Sequence, residues 1–341
     1  MPLFALGTGA CYILVSYTPA LWFFYMAYSL LSIASSGIGF IPVSSILARW
    51  YIRRRGTAIG FAMVGIAAGG LVMAPLVGQI TLHYSWSVSF IFLGLLIWLI
   101  ALPVTLFVIK GSPSEMGLMP DGDQAEQDET FGPVPGPEKV ASTGGEEGWP
   151  LKAALRTRSF HWIAATFFLA PLAQMGVLQH QVPVIVEAGI SQATAATAMG
   201  LTAGFGGLGK LSFGRISELL PFHYAAMLCF GLQAFGVFIL FNAQSMSVLW
   251  FYVMIFGFAM GGVIVLLPMA VGQFYGLASF GVLVGFVSLI QAVGCASGAL
   301  ISGLIYDYLG SYHYALIMYI CIYLMAIITI FLAGKPKPYS Y

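Results

Sequence analysis

The 341-residue chain is 60% hydrophobic and only 7% charged, with a formal net charge of +1 and a mean hydropathy of +0.93. A soluble domain has about a quarter of its residues charged, so this composition excludes a soluble globular domain and indicates a protein embedded in lipid. The near-zero net charge also argues against nucleic acid as a partner.

Ten apolar stretches predict membrane-spanning helices, because a helix needs about 20 mostly apolar residues to cross a bilayer. They lie at residues 2–17, 20–47, 57–81, 87–109, 160–186, 194–216, 223–243, 247–271, 279–303 and 312–333. The prediction is an all-α membrane protein with two helical bundles, four helices in the first and six in the second. Its predicted parts are an N-terminal bundle (1–110), a linker (111–158), a C-terminal bundle (159–334) and a tail (335–341).

The linker, residues 111–158, is the one hydrophilic segment of the chain. It contains nine of the twelve acidic residues and is rich in Gly, Pro and Ser, a composition typical of a solvated tether. We expect it to have no binding site of its own.

Lys and Arg residues set the predicted orientation. If successive spans alternate in direction, twelve of the thirteen fall on one face, which the positive-inside rule makes the cytoplasmic face. These twelve are Arg49, Arg53, Arg54, Arg55, Lys110, Lys139, Lys152, Arg156, Arg158, Arg215, Lys335 and Lys337. We therefore expect a multi-pass plasma-membrane protein whose linker and C-terminus are cytoplasmic.

Motifs of enzymes and metalloproteins are missing from the sequence. The four cysteines lack paired spacing, and no phosphate-binding glycine loop or His/Glu ligand cluster is present. We expect no metal, no cofactor and no catalytic residues, and hence no enzyme.

An internal repeat relates the two halves. Three glycines recur 225 positions later, namely Gly60, Gly69 and Gly78 as Gly285, Gly294 and Gly303. Small residues in membrane helices allow close helix approach, and two copies in one orientation predict a parallel repeat. If each half has six helices, the second is complete and the first lacks two, so the chain is expected to begin at a third span.

The segment before the third span carries a family resemblance. Residues 50–65 read WYIRRRGTAIGFAMVG, with two aromatic residues, a basic triplet, and then Ala and Gly at fixed offsets. This pattern resembles the major facilitator superfamily, specifically the monocarboxylate-porter and oxalate/formate-exchanger branch, at the start of the fifth helix. Thr57 and Val64 depart mildly from it. Weaker similarities are His180-x-x-Pro183, Lys210-x-x-x-Gly214-Arg215 and Asp307-x-x-Gly310-Ser311-Tyr312.

The resemblance implies roles for two sets of residues. In similar porters a cation four residues before a glycine of the eighth helix binds the substrate carboxylate, and Lys210 with Gly214 matches those positions. The alternative for Lys210 is a side chain that reaches the nearby cytoplasmic interface. The residues implied in gating contacts are Arg53, Arg54, Arg55, Gly60, Gly65, Gly214 and Arg215. For the arginines, the alternative is that they only fix topology.

The remaining candidates are uncharged polar residues. Gln179 and His180, next to Gln181, could hydrogen-bond a carboxylate, or could have a structural role ahead of Pro183. Gln174 and Tyr25 are weaker candidates for the same cavity. Gly206 stands where related proton-coupled porters carry an Asp, and Gln291 lies near where the oxalate exchanger has a second cation. One cation favours a singly charged substrate.

We therefore expect a secondary transporter that carries a small organic anion by alternating access, with protons or a counter-anion as its coupling partner. Two alternatives stay open. One is a membrane sensor or receptor that binds a ligand without moving it, and the other is a transporter of a different small solute.

Overall fold

The structure is a computed structural model that describes residues 1–122, 148–243, 245–334 and 336. Over these residues the chain is helical, apart from turns and one isolated bridge between Gly148 and Gly276. The first helices are α1 (Pro2–Ser16), α2 (Leu21–Ser36), α3 (Phe40–Trp50), α4 (Arg55–His83) and α5 (Trp86–Pro103). The later ones are α6 (Leu151–Leu155), α7 (Arg158–Glu187), α8 (Gln192–Leu219), α9 (Phe222–Phe241), α10 (Met246–Tyr275), α11 (Phe280–Leu309) and α12 (His313–Leu332). The predicted all-α fold is confirmed.

Within the described part of the chain, eight segments are long and apolar enough to cross a membrane. Every one of the ten predicted spans coincides with helical structure, but two are not among the eight. Helix α1 has only 15 residues, whereas α8 has 28 residues and is less apolar because it carries several Gly, Ser and Thr residues and Lys210. The count of ten spans is thus supported for eight of them.

The second predicted span is interrupted, which corrects the prediction of one continuous helix over 20–47. Helix α2 ends at Ser36 and α3 begins at Phe40. Gly37 and Gly39 lie in the interruption, where glycine has a weak helix propensity, and Pro42 in the first turn of α3 has no N–H to donate. These three residues explain the interruption, which hydropathy alone does not reveal.

Two compact units make up the chain. The first contains Met1–Ile52 and residues 68–122, and the second contains residues 53–67 and the described residues from 148 onward. In the first unit α1 packs closely on α5, where the Trp98 indole N–H donates to the Leu6 carbonyl at 3.0 Å.

Close helix pairs form the second unit, with α7 on α11 and α8 on α10. A Cβ on Gly294 would lie 2.4 Å from the Phe168 carbonyl oxygen, and one on Gly298 would lie 1.9 Å from the Leu172 oxygen. Glycine at both positions therefore lets the two backbones touch, as is typical of helices packed in lipid.

The repeat glycines do not all make such contacts. Gly60 and Gly294 do, but no described atom lies within 4 Å of a Cβ built on Gly69 or Gly78. The expectation of close approach is therefore wrong for these two. Gly78 lies on an exposed face of α4, which gives a side chain no backbone to meet.

Much of the predicted linker and tail lies outside the described residues. This applies to residues 123–147, 335 and 337–341. Among the cations used for the orientation, Lys139, Lys335 and Lys337 are therefore not described.

Candidate functional site

Lys210 lies well inside α8, nine residues before the helix ends at Leu219. Nine residues correspond to about 14 Å along the helix axis. The predicted end near residue 216 was too early, so Lys210 is about a turn deeper than expected. Its side chain is half-buried and makes no hydrogen bond or ion pair with any residue that the structure describes. A cation in a spanning helix costs about 2.5–3.5 kcal/mol, so an unpaired ammonium here is suited to an incoming anion.

Glycines fix the backbone of α8 on two sides at Lys210. A Cβ on Gly60 of α4 would lie 2.5 Å from the Lys210 carbonyl oxygen, and one on Gly261 of α10 would lie 2.7 Å from the Lys210 nitrogen. One turn earlier, a Cβ on Gly206 would lie 3.2 Å from the Met260 methyl group. An Asp side chain at position 206 would therefore have to displace Met260, which fits the departure of this chain from the proton-coupled pattern.

The start of α4 meets the end of α8 at a shared carboxylate. Thr57 lies in the first turn of α4, where backbone amides have no acceptor within the helix. The Glu218 carboxylate accepts from the Thr57 amide at 2.6 Å and from the Thr57 hydroxyl at 2.8 Å, while Arg215 donates to it at 3.0 Å. A negative charge at a helix start is favourable, so Glu218 caps α4 from a different helix.

The backbones interlock beside this carboxylate. A Cβ on Gly56 would lie 2.3 Å from the Gly214 carbonyl oxygen, and a Cβ on Gly214 would lie 2.5 Å from the Gly56 oxygen. We call the contact formed by Gly56, Thr57, Gly60, Gly214 and Glu218 the α4–α8 seam.

The three arginines of the basic triplet differ in their exposure to solvent. Arg53 and Arg54 are exposed, whereas Arg55 is half-buried. A Cβ on Gly272 would lie 2.6 Å from Arg55 Nη1, so this guanidinium rests on the backbone of α10. Gly65, which the resemblance grouped with these residues, has no described atom within 4 Å of its Cβ position.

We predict that Glu218→Gln loosens the first turn of α4. The Glu218 side chain is only 7% exposed, and removing the charge weakens its hydrogen bonds to Thr57 by about 1–3 kcal/mol. Hydrogen exchange measured by mass spectrometry should become faster at the start of α4. Arg215→Gln is the matched control, because that side chain is 58% exposed and contributes little. Equal exchange in the wild type and Glu218→Gln would contradict the capping role.

A buried hydrogen bond sets the register of α7 against α8. The Gln181 amide donates from Nε2 to the Thr202 hydroxyl at 3.0 Å, and both side chains are fully buried. Because the two helices are consecutive and antiparallel, moving seven residues along each places Gln174 level with Gly209 and next to the height of Lys210. The side-chain oxygen Oε1 of Gln174 is buried and has no hydrogen-bond partner among the described residues.

The other predicted polar candidates lie at different heights. His180 packs its ring against Tyr312 with centroids 5.4 Å apart, and its Nδ1 lies 3.2 Å from the Gly176 carbonyl oxygen. Measured along the axis of α7, His180 is about 10 Å from the level of Lys210. Gln179 next to it is exposed.

Gln291 lies in the opposite direction from Lys210. The parallel pairing of α11 with α7 puts it level with Ala165, about two turns below Lys210. Its side chain is half-buried and makes no hydrogen bond with the described residues. Tyr25 belongs to the first unit and is 63% exposed. Of the predicted polar residues, Gln174 is thus the one at the height of the cation.

Sequence reasoning missed the roles of three residues. Thr57 was noted only as a mild departure from the family pattern, and Glu218 was not among the predicted site residues. The signal was weak, because the two are 161 positions apart. Gln181 was noted only as a neighbour of His180, although it carries the buried bond between α7 and α8.

The loop after α11 ties two helix ends together. Glu187 at the end of α7 accepts from the Ser311 hydroxyl at 2.8 Å and from the Tyr312 amide at 3.3 Å. Burial raises the pKa of Tyr312, and Tyr306, Glu187 and Asp307 raise it further, so the phenol stays protonated at neutral pH.

Comparisons with known proteins place this geometry in context. Residues 1–296 match the family model of the Major Facilitator Superfamily. The chain is 22% identical to the uncharacterized MFS-type transporter YcxA of Bacillus subtilis, over 94% of this chain and 74% of that protein. It is 24% identical to monocarboxylate transporter 13 of Bos taurus over 88% of this chain, and 23% identical to monocarboxylate transporter 12 of Rattus norvegicus over 90%. It spans 65% of the length of each of these two transporters.

Solved structures show the same architecture. The chain is similar to the E. coli fucose:proton symporter FucP with a TM-score of 0.70 and 12% identity, covering 98% of this chain and 82% of that one. It is also similar to the human organic anion transporter MFSD10 (TETRAN), with a TM-score of 0.67 and 14% identity, covering 96% and 76% of the two chains. At such low identity these two similarities show the fold alone.

Proposed function

Because the chain belongs to the major facilitator superfamily, we propose that it is a secondary transporter of small monocarboxylates. The observation that carries the proposal is Lys210, an ammonium deep in α8 without a described partner. A carboxylate bound there would compensate the charge that is costly in a membrane helix. The names of the monocarboxylate transporters among its relatives support the same class.

The proposed cycle is alternating access, with the α4–α8 seam as one of its gates. The seam closes through backbone contacts at Gly56, Gly60 and Gly214 and through the capping of Thr57 by Glu218. These interactions involve few long side chains, so they separate and re-form without repacking a core. Lys210 shares its backbone contact with Gly60, which links the anion site to the gate.

The charges favour a singly charged substrate and exchange rather than proton symport. The sequence has no Asp or Glu between Glu187 and Glu218, so α8 carries no acid at the depth of Lys210. Gly206 and its neighbour Met260 occupy the place of a proton-carrying Asp. In an exchanger, a counter-anion would bind Lys210 after the substrate has left and would neutralise its ammonium group, so no proton-carrying acid is needed.

The proposed topology places the protein in the plasma membrane with the α4–α8 seam on the cytoplasmic side. The cations at the start of α4 and around α6 then lie inside, as the positive-inside rule requires. The ends of α7 and α11, which carry Glu187 and Asp307, face the outside.

The proposal is tested by uptake of radiolabelled lactate, pyruvate, formate and oxalate into proteoliposomes that contain the chain. We expect saturable uptake of the monoanions, weaker uptake of oxalate, and stimulation when the vesicles are preloaded with unlabelled monocarboxylate. An imposed pH gradient should have a smaller effect than preloading.

Three results would count against this function. Uptake that neutral solutes inhibit but carboxylates do not would favour a different substrate. Binding of labelled lactate without uptake would favour a sensor or receptor. Stimulation of uptake by a pH gradient, without stimulation by preloading, would favour proton symport over exchange.

A further inference from the structure

A basic and aromatic surface surrounds the start of α7. We call it the collar and define it as Lys152, Arg156, Arg158, His161 and Trp162, all of which are exposed. The sequence has no Asp or Glu between Glu147 and Glu187, so the collar has no acidic neighbour along this stretch of chain. The charged side chains from Trp149 to Val186 are therefore all positive.

Contacts with the end of α10 hold the collar in place. The Trp149 amide donates to the Tyr275 carbonyl at 2.9 Å, and the hydroxyl groups of Thr157 and Tyr275 lie 2.7 Å apart. The Trp149 and Tyr275 rings pack edge-on with centroids 6.1 Å apart. Lys152 in α6 and Arg156 directly after it are thus fixed beside the start of α7.

The first turns of α7 contain an open cavity. Its volume is about 370 Å³, and Arg158, His161, Trp162 and Ala165 line it. These positions follow the i, i+3, i+4, i+7 spacing of one helix face. His161 Nδ1 lies 2.9 Å from the Thr157 carbonyl oxygen, which fixes its ring. Ala165 forms an apolar floor of the cavity. Trp side chains such as Trp162 are typical of the lipid headgroup level of a membrane.

The charges at this cavity are uncompensated within the described residues. Lys152, Arg156 and Arg158 have no ion pair there, and the first turn of α7 has no acidic residue. Arg158 also stands at a helix start, where the dipole disfavours a cation. An anion with an apolar tail satisfies both the cationic rim and the apolar floor.

We propose that the collar binds the phosphate headgroup of an anionic phospholipid. Arg156 and Arg158 contact the phosphate, and Trp162 and Ala165 lie along the glycerol and first acyl carbons. A soluble anion would use the cations but not the apolar floor, which is why we assign a lipid. This inference is independent of the transported substrate.

The test is a lipid titration of the delipidated protein, followed by native mass spectrometry with phosphatidylglycerol or phosphatidylcholine. We expect phosphatidylglycerol to bind at least about tenfold more tightly, since each cation near a headgroup contributes about a fivefold effect. Arg158→Gln should weaken binding about fivefold, and Arg156→Gln with Arg158→Gln should weaken it further. These side chains are exposed, so the variants should keep the wild-type melting temperature.

Lys110→Gln is the matched control, because Lys110 is an exposed cation at the end of a spanning segment of the first unit. It should leave phosphatidylglycerol binding unchanged. Equal binding of the two lipids would overturn the proposal, as would an equal loss in Lys110→Gln. Displacement of the lipid by millimolar inorganic phosphate would also overturn it and would indicate a site for soluble anions.

Discussion

Lys210→Ala should abolish saturable monocarboxylate uptake while the protein remains folded. Removing one partner of a desolvated charge pair costs about 2–5 kcal/mol, which corresponds to a loss of affinity of about 30-fold or more. The melting temperature should be unchanged or higher, because the ammonium has no described partner to lose and its burial in a spanning helix is unfavourable. The measurements are binding and uptake of labelled lactate together with thermal unfolding in detergent.

Two further variants show whether the charge or the shape of Lys210 is needed. Lys210→Arg keeps the charge but replaces a compact ammonium with a planar fork, so binding should be weakened rather than lost. Lys110→Ala removes an exposed cation and should leave uptake at the wild-type level. Unchanged uptake in Lys210→Ala would remove Lys210 from the substrate site. A matching loss of melting temperature would instead assign it a structural role.

Gly60→Ala should lower both stability and transport, whereas Gly65→Ala should leave both intact. A Cβ on Gly60 would lie 2.5 Å from the Lys210 carbonyl oxygen, a backbone atom that no rotamer change can move. Overpacking of this kind costs about 1–3 kcal/mol and shifts the backbone of Lys210. The same Cβ on Gly65 meets no described atom within 4 Å, and Ala is the better helix former.

The comparison between the two variants controls for helix propensity, since both add one methyl group to α4. Thermal unfolding in detergent should show a melting temperature several degrees lower for Gly60→Ala than for Gly65→Ala. Lactate uptake should follow the same order. Similar melting temperatures in the two variants would argue against the α4–α8 seam as a tight backbone contact.

Composition predicted the positions of the helices well because lipid imposes one simple requirement on every span. It could not predict the interruption between α2 and α3, since Gly37, Gly39 and Pro42 change helix continuity without changing hydropathy. Composition also predicted that α8 ends near residue 216, whereas the helix continues to Leu219. In the structure α8 continues through Ser217 and Glu218 to Leu219, and these two residues contact Gly56 and Thr57 of α4.

The candidate site was predicted where one residue breaks the pattern and missed where two distant residues combine. Lys210 stands out because it is the only charged residue between the start of α8 at Gln192 and Arg215 near its end. Gln174 and Gln181 look alike in the sequence, and only the bond from Gln181 to Thr202 shows that Gln174 lies near the height of Lys210. Pairings of this kind depend on tertiary register, which hydropathy and motif spacing do not contain.

The capping of α4 by Glu218 has a consequence for how this protein diverges from its relatives. If Glu218 is replaced, the first turn of α4 at Thr57 loses its capping carboxylate. If Thr57 is replaced, the Glu218 carboxylate stays nearly buried and keeps only the exposed Arg215 as a partner. We therefore expect single substitutions at either position to weaken the contact and paired substitutions to be tolerated. Positions 57 and 218 should covary among homologous sequences, while Gly56 and Gly214, whose backbones touch, should stay invariant.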